Sequence, residues 1–176
     1  MKFTETNIPG AYIIDIEPIA DERGFFARTW AQDEFAAHGL TPDLAQCNLS
    51  YNHHKGTVRG MHWQAPPHAE TKLVRCTQGG IYDVIVDICA DSPTYRQSVG
   101  VELTAENRRA LYIPEGCAHG FQTLEDATEV FYMITEYYTP SAARGMRWDD
   151  PAINVTWPLD VTVISERDAQ YPDFAP

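Results

Sequence analysis

Short apolar runs separated by turn residues restrict the fold of this chain more than any other feature of its sequence. The runs are rich in β-branched and aromatic residues, and Gly and Pro recur between them. They cover residues 11–16, 24–30, 56–63, 71–79, 80–88, 97–104, 110–116, 120–124, 129–138 and 153–159. Many short strands with such spacing are typical of a β-sandwich or a barrel.

Segments with helical periodicity are scarce. The best candidate is AQDEFAAHG at 31–39, which has acidic residues near its start and glycine at its end. The tail after residue 160 is expected to be irregular. No segment of linker composition interrupts the 176 residues. We therefore predict an all-β protein with a few short peripheral helices, built as a single domain over residues 1–176.

The charge and composition exclude several classes of partner. The formal net charge is -12, so the chain as a whole repels nucleic-acid phosphates and anionic lipid surfaces. No run reaches the length of a membrane span, and the N-terminus lacks the apolar core of a secretory signal. We expect a cytoplasmic protein that binds neither nucleic acid nor membranes, although clustered arginines can still hold a small anion.

The four cysteines occur singly and form no CxxC pair. They are Cys47, Cys76, Cys89 and Cys117. This usage is typical of reduced thiols, and we predict that all four are buried and unreactive.

The run GIYDVIVDI at 80–88 raises a question about one carboxylate. Strand alternation places Ile81, Asp83 and Ile85 on the same face. If that face is internal, Asp83 needs a partner, because an unpaired buried carboxylate is costly. Periodicity alone leaves open whether the face points inward or to solvent.

Two histidines lie in a frame that is similar to the motifs of metal-binding cupins. The expected five residues separate Gly56 from His62, and Pro114-Glu115-Gly116-Cys117-Ala118-His119 matches the second motif. Gln64 and Lys72, however, stand where the second histidine and the glutamate of a metal site would be. An ammonium group has no lone pair for a metal, so we predict no metal and no cofactor. A cation opposite a histidine instead suits proton transfer with stabilisation of an oxyanion.

The sequence as a whole resembles the dTDP-4-dehydrorhamnose 3,5-epimerase family, cofactor-free cupins that invert centres beside the 4-keto group of a nucleotide sugar. The resemblance extends over nearly the whole chain. Its segments are DERGFFART (21–29), QCNLS (46–50), GTVRGMHWQAPP (56–67), KLVRCTQGGIYDVIVDI (72–88), SPTY (92–95), LTAENRRALYIPEGCAHGFQTL (103–124), EVFYMITEYY (129–138), RWDDPAINVTWP (147–158) and ISERD (164–168). The resemblance implies a cupin-type β jelly roll and a nucleotide-sugar substrate.

The resemblance also implies roles for four catalytic residues. His62 would be the base, and Asp168 would orient it. Lys72 would stabilise the enolate, and Tyr132 would return a proton from the opposite side of the ring. The reaction requires such groups. A C–H beside a ketone is a weak acid, so its removal needs both a base and stabilisation of the enolate, and inversion needs an acid on the other side of the ring. We expect a neighbouring charge to adjust the pKa of Tyr132 for this task.

Other matched positions are candidate substrate-binding residues. Asp83 would orient His119, which favours the inward face for this carboxylate. Arg23 and Arg59 match diphosphate-binding positions, and Tyr138 matches a tyrosine near the sugar. The complete predicted substrate-binding set is Arg23, Phe26, Arg28, Gln46, Asn48, Arg59, Asp83, His119, Tyr138 and Arg167.

The family resemblance further implies a homodimer in which the N-terminal segment of one subunit completes the nucleotide site of the other. The run GFFARTW is apolar and β-prone enough to add to a neighbour's sheet. Arg28 stands where an acidic residue is common in the family, which leaves the nucleobase open, and Met133 stands where lysine is common, which we interpret as a packing change.

Several alternative functions stay open at this stage. The enzyme could invert only C3 or only C5, or could act on a CDP- or GDP-linked sugar. A metal-dependent cupin enzyme and a non-catalytic sugar-binding cupin are more distant alternatives, and Gln64 and Lys72 count against the former.

Overall fold

The computed structural model describes residues 1–174 and contains two six-stranded sheets and a separate two-stranded hairpin. The strands are β1 (Lys2–Glu5), β2 (Tyr12–Asp15), β3 (Ile19–Asp21), β4 (Gly24–Phe26), β5 (Gln46–Asn52), β6 (Thr57–Gln64), β7 (Lys72–Gln78), β8 (Gly80–Asp87), β9 (Ser98–Thr104), β10 (Ala110–Ile113), β11 (Cys117–Thr123), β12 (Thr128–Ile134), β13 (Ala143–Gly145) and β14 (Val163–Ile164). The helices are α1 (Gln32–Ala37) and α2 (Glu166–Ala169). The prediction of an all-β fold with short helices is confirmed.

The two large sheets face each other. The first sheet has the order β1-β2-β10-β7-β12-β5, and the second has the order β13-β6-β11-β8-β9, with β14 added to β6 in parallel. Their inner faces share one apolar core, in which Val74 and Leu111 of the first sheet meet Ile81, Ile85 and Phe121 of the second. This arrangement buries alternate residues of each strand, as expected for a β-sandwich.

Strand β8 answers the question about Asp83. Ile81, Asp83 and Ile85 are all completely buried, so this face points into the sandwich. The opposite face is also covered, because Val84 and Val86 pack with Met61, Met146 and Ile153.

The predicted strand at 153–159 is wrong. Ile153, Val155 and Trp157 pack against the outer face of the second sheet without pairing with it. Trp157 Nε1 donates a hydrogen bond to the carbonyl of Trp148 at 2.9 Å. The apolar alternation that suggested a strand here serves to cover a sheet rather than to extend it.

The predicted helix at 31–39 is confirmed as α1, whose Phe35 packs on Ile14 and Tyr112. The tail was predicted to be irregular, which is wrong for α2. Ser165 caps α2, with its hydroxyl accepting a hydrogen bond from the Asp168 amide at 3.1 Å. The polar strand β5 and the very short β1, β3, β13 and β14 were not predicted.

The cysteine prediction is confirmed in part. All four thiols are free. Cys76 and Cys117 are buried, and burial raises the pKa of Cys76 to about 11. Cys47 and Cys89 are exposed, so the prediction was wrong for these two. Cys47 lies on β5, the edge strand of its sheet, and Cys89 follows the end of β8.

Within residues 1–174, no helix is both long and apolar enough to cross a membrane. The prediction of a single domain over 1–176 stays a prediction.

Candidate active site

A cavity of about 530 Å³ opens between the two sheets. Strands β5, β7 and β12 supply its wall from the first sheet, and β6 and β11 supply the wall from the second. Residues 138, 143 and 144 and the region of α2 complete the rim. Ten of the predicted site residues line it: Gln46, Asn48, Arg59, His62, Lys72, His119, Tyr132, Tyr138, Arg167 and Asp168.

His62 is fixed by Asp168. Its Nε2 lies 2.7 Å from Asp168 Oδ1, and the other carboxylate oxygen accepts a hydrogen bond from the Gly60 amide at 3.1 Å. Gly60 has φ +125°, and a Cβ there would lie 2.6 Å from the Cα of Gly120. Glycine at this position therefore allows β6 to approach β11 closely.

The Asp168 carboxylate is suited to remain ionised. Burial alone would raise its pKa, but the hydrogen bond and charge of His62, with help from Gly60 and Ser165, lower the pKa below its ordinary value. An ionised carboxylate accepts the Nε2 proton, which leaves the lone pair that a base needs on Nδ1.

A second histidine–aspartate pair lies beside the first. His119 on β11 pairs in register with His62 on β6, and its Nε2 lies 2.7 Å from Asp83 Oδ1. Asp83 is fully buried, and its other oxygen has no partner among residues 1–174. Asp83 therefore lies behind the cavity wall and acts on the cavity only through His119.

Lys72 has an ionic partner that the sequence analysis missed. Its Nζ lies 3.0 Å from Glu70 Oε1, and each side chain is only 10% exposed. Both residues line the cavity. Glu70 precedes Lys72 by two residues, and this spacing was the available signal. The contact holds the ammonium in one place at the cavity wall.

Tyr132 lies on the first sheet, whereas His62 lies on the second. The Tyr132 hydroxyl is 3.2 Å from Ser50 Oγ. Burial raises the pKa of Tyr132 well above its ordinary value, and the hydrogen bond with Ser50 offsets only part of this rise. The charge of Asp83 raises the pKa further, and the charge of Arg59 lowers it by a smaller amount. Desolvation rather than a neighbouring charge thus has the largest effect, and it keeps the phenol protonated.

Several polar groups surround these residues. Arg59 Nε donates to Asn52 Oδ1 at 2.7 Å, and Asn52 is itself buried and donates to the carbonyl of Thr128. The Tyr138 side chain raises the pKa of the Arg167 guanidinium, so these two groups lie close together at the rim. Arg144, which the sequence analysis did not single out, also lines the cavity.

Besides Asp83, which lies behind the cavity wall, three predicted substrate-binding residues lie outside the cavity in this chain. Arg23 and Phe26 are in the β3–β4 hairpin, and Arg28 follows it. Arg23 pairs with Asp21, and Arg28 Nη1 lies 3.6 Å from a carboxylate oxygen of Glu34. All three side chains are largely exposed, and their predicted role is untested by these contacts.

The positions of a cupin metal site are occupied by groups with other partners. The Gln64 amide makes hydrogen bonds to main-chain atoms, and Lys72 pairs with Glu70. In the part of the chain that the structure describes, no three His, Cys, Asp or Glu side chains form a cluster suited to a metal.

Comparisons with known proteins agree with this arrangement. A family model described as dTDP-4-dehydrorhamnose 3,5-epimerase matches residues 5–176. A curated protein of that name from Shigella flexneri is 43% identical over 175 residues, which cover 99% of this chain and 96% of that protein.

Two solved structures are similar over nearly the whole chain. One is the dTDP-4-dehydrorhamnose 3,5-epimerase of Bacillus anthracis with TDP and PPi bound, which has a TM-score of 0.95 at 40% identity and coverages of 98% of this chain and 99% of that one. The other is the dTDP-6-deoxy-D-glucose-3,5-epimerase of Legionella pneumophila in complex with dTDP-4-keto-L-rhamnose, which has a TM-score of 0.90 at 36% identity and coverages of 97% and 90%. The cupin-type prediction is thereby confirmed.

His62 and Tyr132, the predicted base and acid, line one cavity from two facing sheets. The protein is an isomerase of the epimerase class. The chain belongs to the dTDP-4-dehydrorhamnose 3,5-epimerase family.

Proposed function

We propose that this protein inverts C3 and C5 of dTDP-4-dehydro-6-deoxyglucose and so produces dTDP-4-dehydrorhamnose. The observation that carries the proposal is the placement of the His62–Asp168 pair and Tyr132 on opposite sheets of one cavity. Family membership supports the substrate class.

The first step is proton abstraction beside the 4-keto group. His62 takes the proton, and the resulting imidazolium is stabilised by the ionised Asp168 at 2.7 Å. The electrons of the broken C–H bond move to the carbonyl oxygen and form an enolate. Lys72, held at the wall by Glu70, can donate a hydrogen bond to that oxygen.

The second step is reprotonation from the other face. Tyr132 is protonated because burial raises its pKa, so it can give its proton to the enolate carbon. The tyrosinate then regains a proton from solvent, and His62 releases the one it took. The net reaction changes only the configuration at carbon. That it needs no cofactor stays our prediction.

The nucleotide part of the substrate requires cations in a protein whose net charge is -12. Arg59 and Arg167 line the cavity and supply guanidinium groups suited to a diphosphate. Gln46 and Asn48 on β5 add amide groups along the same wall. His119, fixed by Asp83, offers its remaining ring nitrogen to the sugar.

We also propose that the protein is a homodimer. The β3–β4 hairpin exposes Ile19 (73%) and Phe26 (72%), and Leu49 is 57% exposed on the edge strand β5. An exposed apolar edge is a site at which another chain can add a strand. A partner's hairpin lying along this edge would carry its own Arg23, Phe26 and Arg28 towards the cavity. The molar mass in solution, measured by light scattering, should be twice that of the chain, and Phe26→Asp should lower it.

The experiment that tests the function uses chelator-treated protein, dTDP-4-dehydro-6-deoxyglucose and deuterated water. Deuterium uptake at both C3 and C5, abolished in His62→Ala, is the expected result. Uptake at one carbon would identify a mono-epimerase. If only CDP- or GDP-linked sugars exchanged, the nucleotide assignment would be wrong, and recovery only after adding metal would indicate a metal-dependent cupin. Binding of the nucleotide sugar without any uptake would indicate a non-catalytic cupin. A cytoplasmic location stays a prediction.

A further inference from the structure

Gln64 is a cavity residue whose hydrogen-bonding groups are already occupied. It follows His62 by two positions on β6, so the two side chains share a face of the strand. Gln64 is 5% exposed. Its Nε2 donates to the carbonyls of His68 at 3.1 Å and Tyr137 at 3.2 Å, and its Oε1 accepts from the Thr139 amide at 2.6 Å.

The occupied amide has no N–H left for a substrate, because a glutamine side chain has two donor hydrogens and both are used. All three of its partners are main-chain groups, and they belong to two different loops. One loop leads from β6 towards Lys72, and the other, residues 137–139, carries Tyr138. The Gln64 side chain therefore connects the main chain of these two loops to β6.

A second glutamine holds the 137–139 loop from the other side of the cavity. Gln46, on the edge strand of the first sheet, accepts a hydrogen bond from the Tyr138 amide at 3.1 Å. Gln64, on the second sheet, thus holds the main chain just before and just after Tyr138. Gln46, on the first sheet, holds the amide of Tyr138 itself. Three successive residues of a loop that leaves β12 are restrained in this way.

Tyr138 is the residue that these contacts place. Its side chain is 57% exposed and lines the cavity, where it lies close to Arg167 of α2. An exposed aromatic side chain at a rim loses rotational freedom when it closes over a ligand, and a rigid main chain reduces the further loss.

We propose that Gln64 is a positioning residue that holds the 137–139 loop so that Tyr138 covers the bound sugar at the mouth of the cavity. This inference rests on the proposed function for its kinetic consequence. It also explains why glutamine suits this position. Glutamate would present an acceptor to the carbonyls of His68 and Tyr137, which are themselves acceptors.

The test combines amide hydrogen exchange with kinetics. Gln64→Leu removes all three hydrogen bonds, so exchange at the Tyr138 and Thr139 amides should accelerate about 10-fold or more. Gln64→Glu keeps the acceptor for Thr139 and loses both donors, so it should accelerate exchange less at Thr139 than Gln64→Leu does. Gln78→Leu is the matched control, because exposed Gln78 also donates to a loop carbonyl, that of Ala127 at 2.7 Å. It should change neither exchange at 138–139 nor kinetics.

The kinetic readout separates positioning from general stability. Gln64→Leu should raise KM about 10-fold with a smaller change in kcat, and Tyr138→Ala should have a similar effect. If Gln64 acts through Tyr138, the double variant should be no worse than Tyr138→Ala alone. Additive effects, or a variant with unchanged exchange at residues 138–139, would overturn the proposal.

Two features keep the test decisive. If Gln64→Leu does not fold, Gln64→Glu, which has nearly the same shape, carries the same comparisons. The exchange measurement needs no turnover, so a wild-type protein that fails to epimerise the sugar would refute the proposed function while leaving the test of the loop contacts intact.

Discussion

His62 Nε2 and Asp168 Oδ1 lie 2.7 Å apart although 106 positions separate the two residues in the chain. The contact joins β6 (Thr57–Gln64) to α2 (Glu166–Ala169). The Asp168 carboxylate is held by His62 and by the Gly60 amide, and the main-chain amide of Asp168 donates to the hydroxyl of the capping residue Ser165. The orientation of the His62 ring therefore depends on how α2 packs.

Replacing Asp168 by Asn should remove the charge and favour the wrong tautomer of His62, since an amide can donate to Nε2. We expect kcat to fall by about 100- to 10,000-fold. The affinity for dTDP, measured by calorimetry, should change little, because the nucleotide does not need the base. Asp160→Asn, at an exposed position, is the control and should behave as wild type. A kcat close to wild type in Asp168→Asn would show that the carboxylate does not support the base.

Variants of Lys72 and Glu70 should separate the effect of the Lys72 ammonium itself from the effect of the contact that holds it in place. Lys72→Met removes the donor for the enolate and should lower kcat by about 100- to 1,000-fold. Glu70→Gln keeps an oxygen that can accept from the ammonium 3.0 Å away, whereas Glu70→Ala leaves the ammonium without that contact. Steady-state rates should therefore follow the order wild type, Glu70→Gln, Glu70→Ala. The reverse order of the two Glu70 variants would contradict a role in holding Lys72.

Local patterns in the sequence were sufficient for much of the fold. Alternation in β8 identified the face that carries Asp83, and most of the long strands were predicted near their observed positions. The same reasoning failed at 153–159, because apolar alternation is equally compatible with a segment that only covers a sheet. It also missed β5, whose exposed edge position leaves it without a strongly apolar face.

The site was predictable where a side chain belongs to a recognisable motif and not where it depends on distant main chain. His62 and Lys72 were identified from the cupin frame. The three hydrogen bonds of Gln64 were not, because nothing in the sequence shows that the carbonyls of His68 and Tyr137 lie within reach of β6. The location of Arg23 on an exposed hairpin was also beyond prediction, since residue type alone does not place a hairpin relative to a cavity.

Tyr132→Phe should separate proton exchange from inversion. The variant keeps His62, so the substrate can still lose its proton and regain a deuteron from the same side. We expect deuterium to appear in the recovered substrate by NMR while the rate of formation of inverted product falls by about 100-fold or more. Ser50→Ala, which removes only the hydroxyl 3.2 Å from the phenol, should still invert. Loss of both exchange and inversion in Tyr132→Phe would instead assign the phenol to the abstraction step.

The burial of Tyr132 should also make the folded state sensitive to alkali. Its pKa is raised from 10.0 in the folded protein, so below pH 10 the phenol is neutral in both the folded and the unfolded states. Above pH 10 the unfolded state loses this proton and the folded state keeps it, so the unfolded state binds fewer protons and stability falls as pH rises. This one group should decrease the free energy of unfolding by about 1.4 kcal/mol per pH unit until its raised pKa is reached.

Urea unfolding at pH 9, 10 and 11 should therefore show a steeper loss of stability with pH for wild type than for Tyr132→Phe. Tyr12 and Tyr171, whose pKa values are also raised, are present in both proteins and cancel in the comparison. Parallel curves for the two proteins would show that the Tyr132 phenol is not desolvated as the structure indicates.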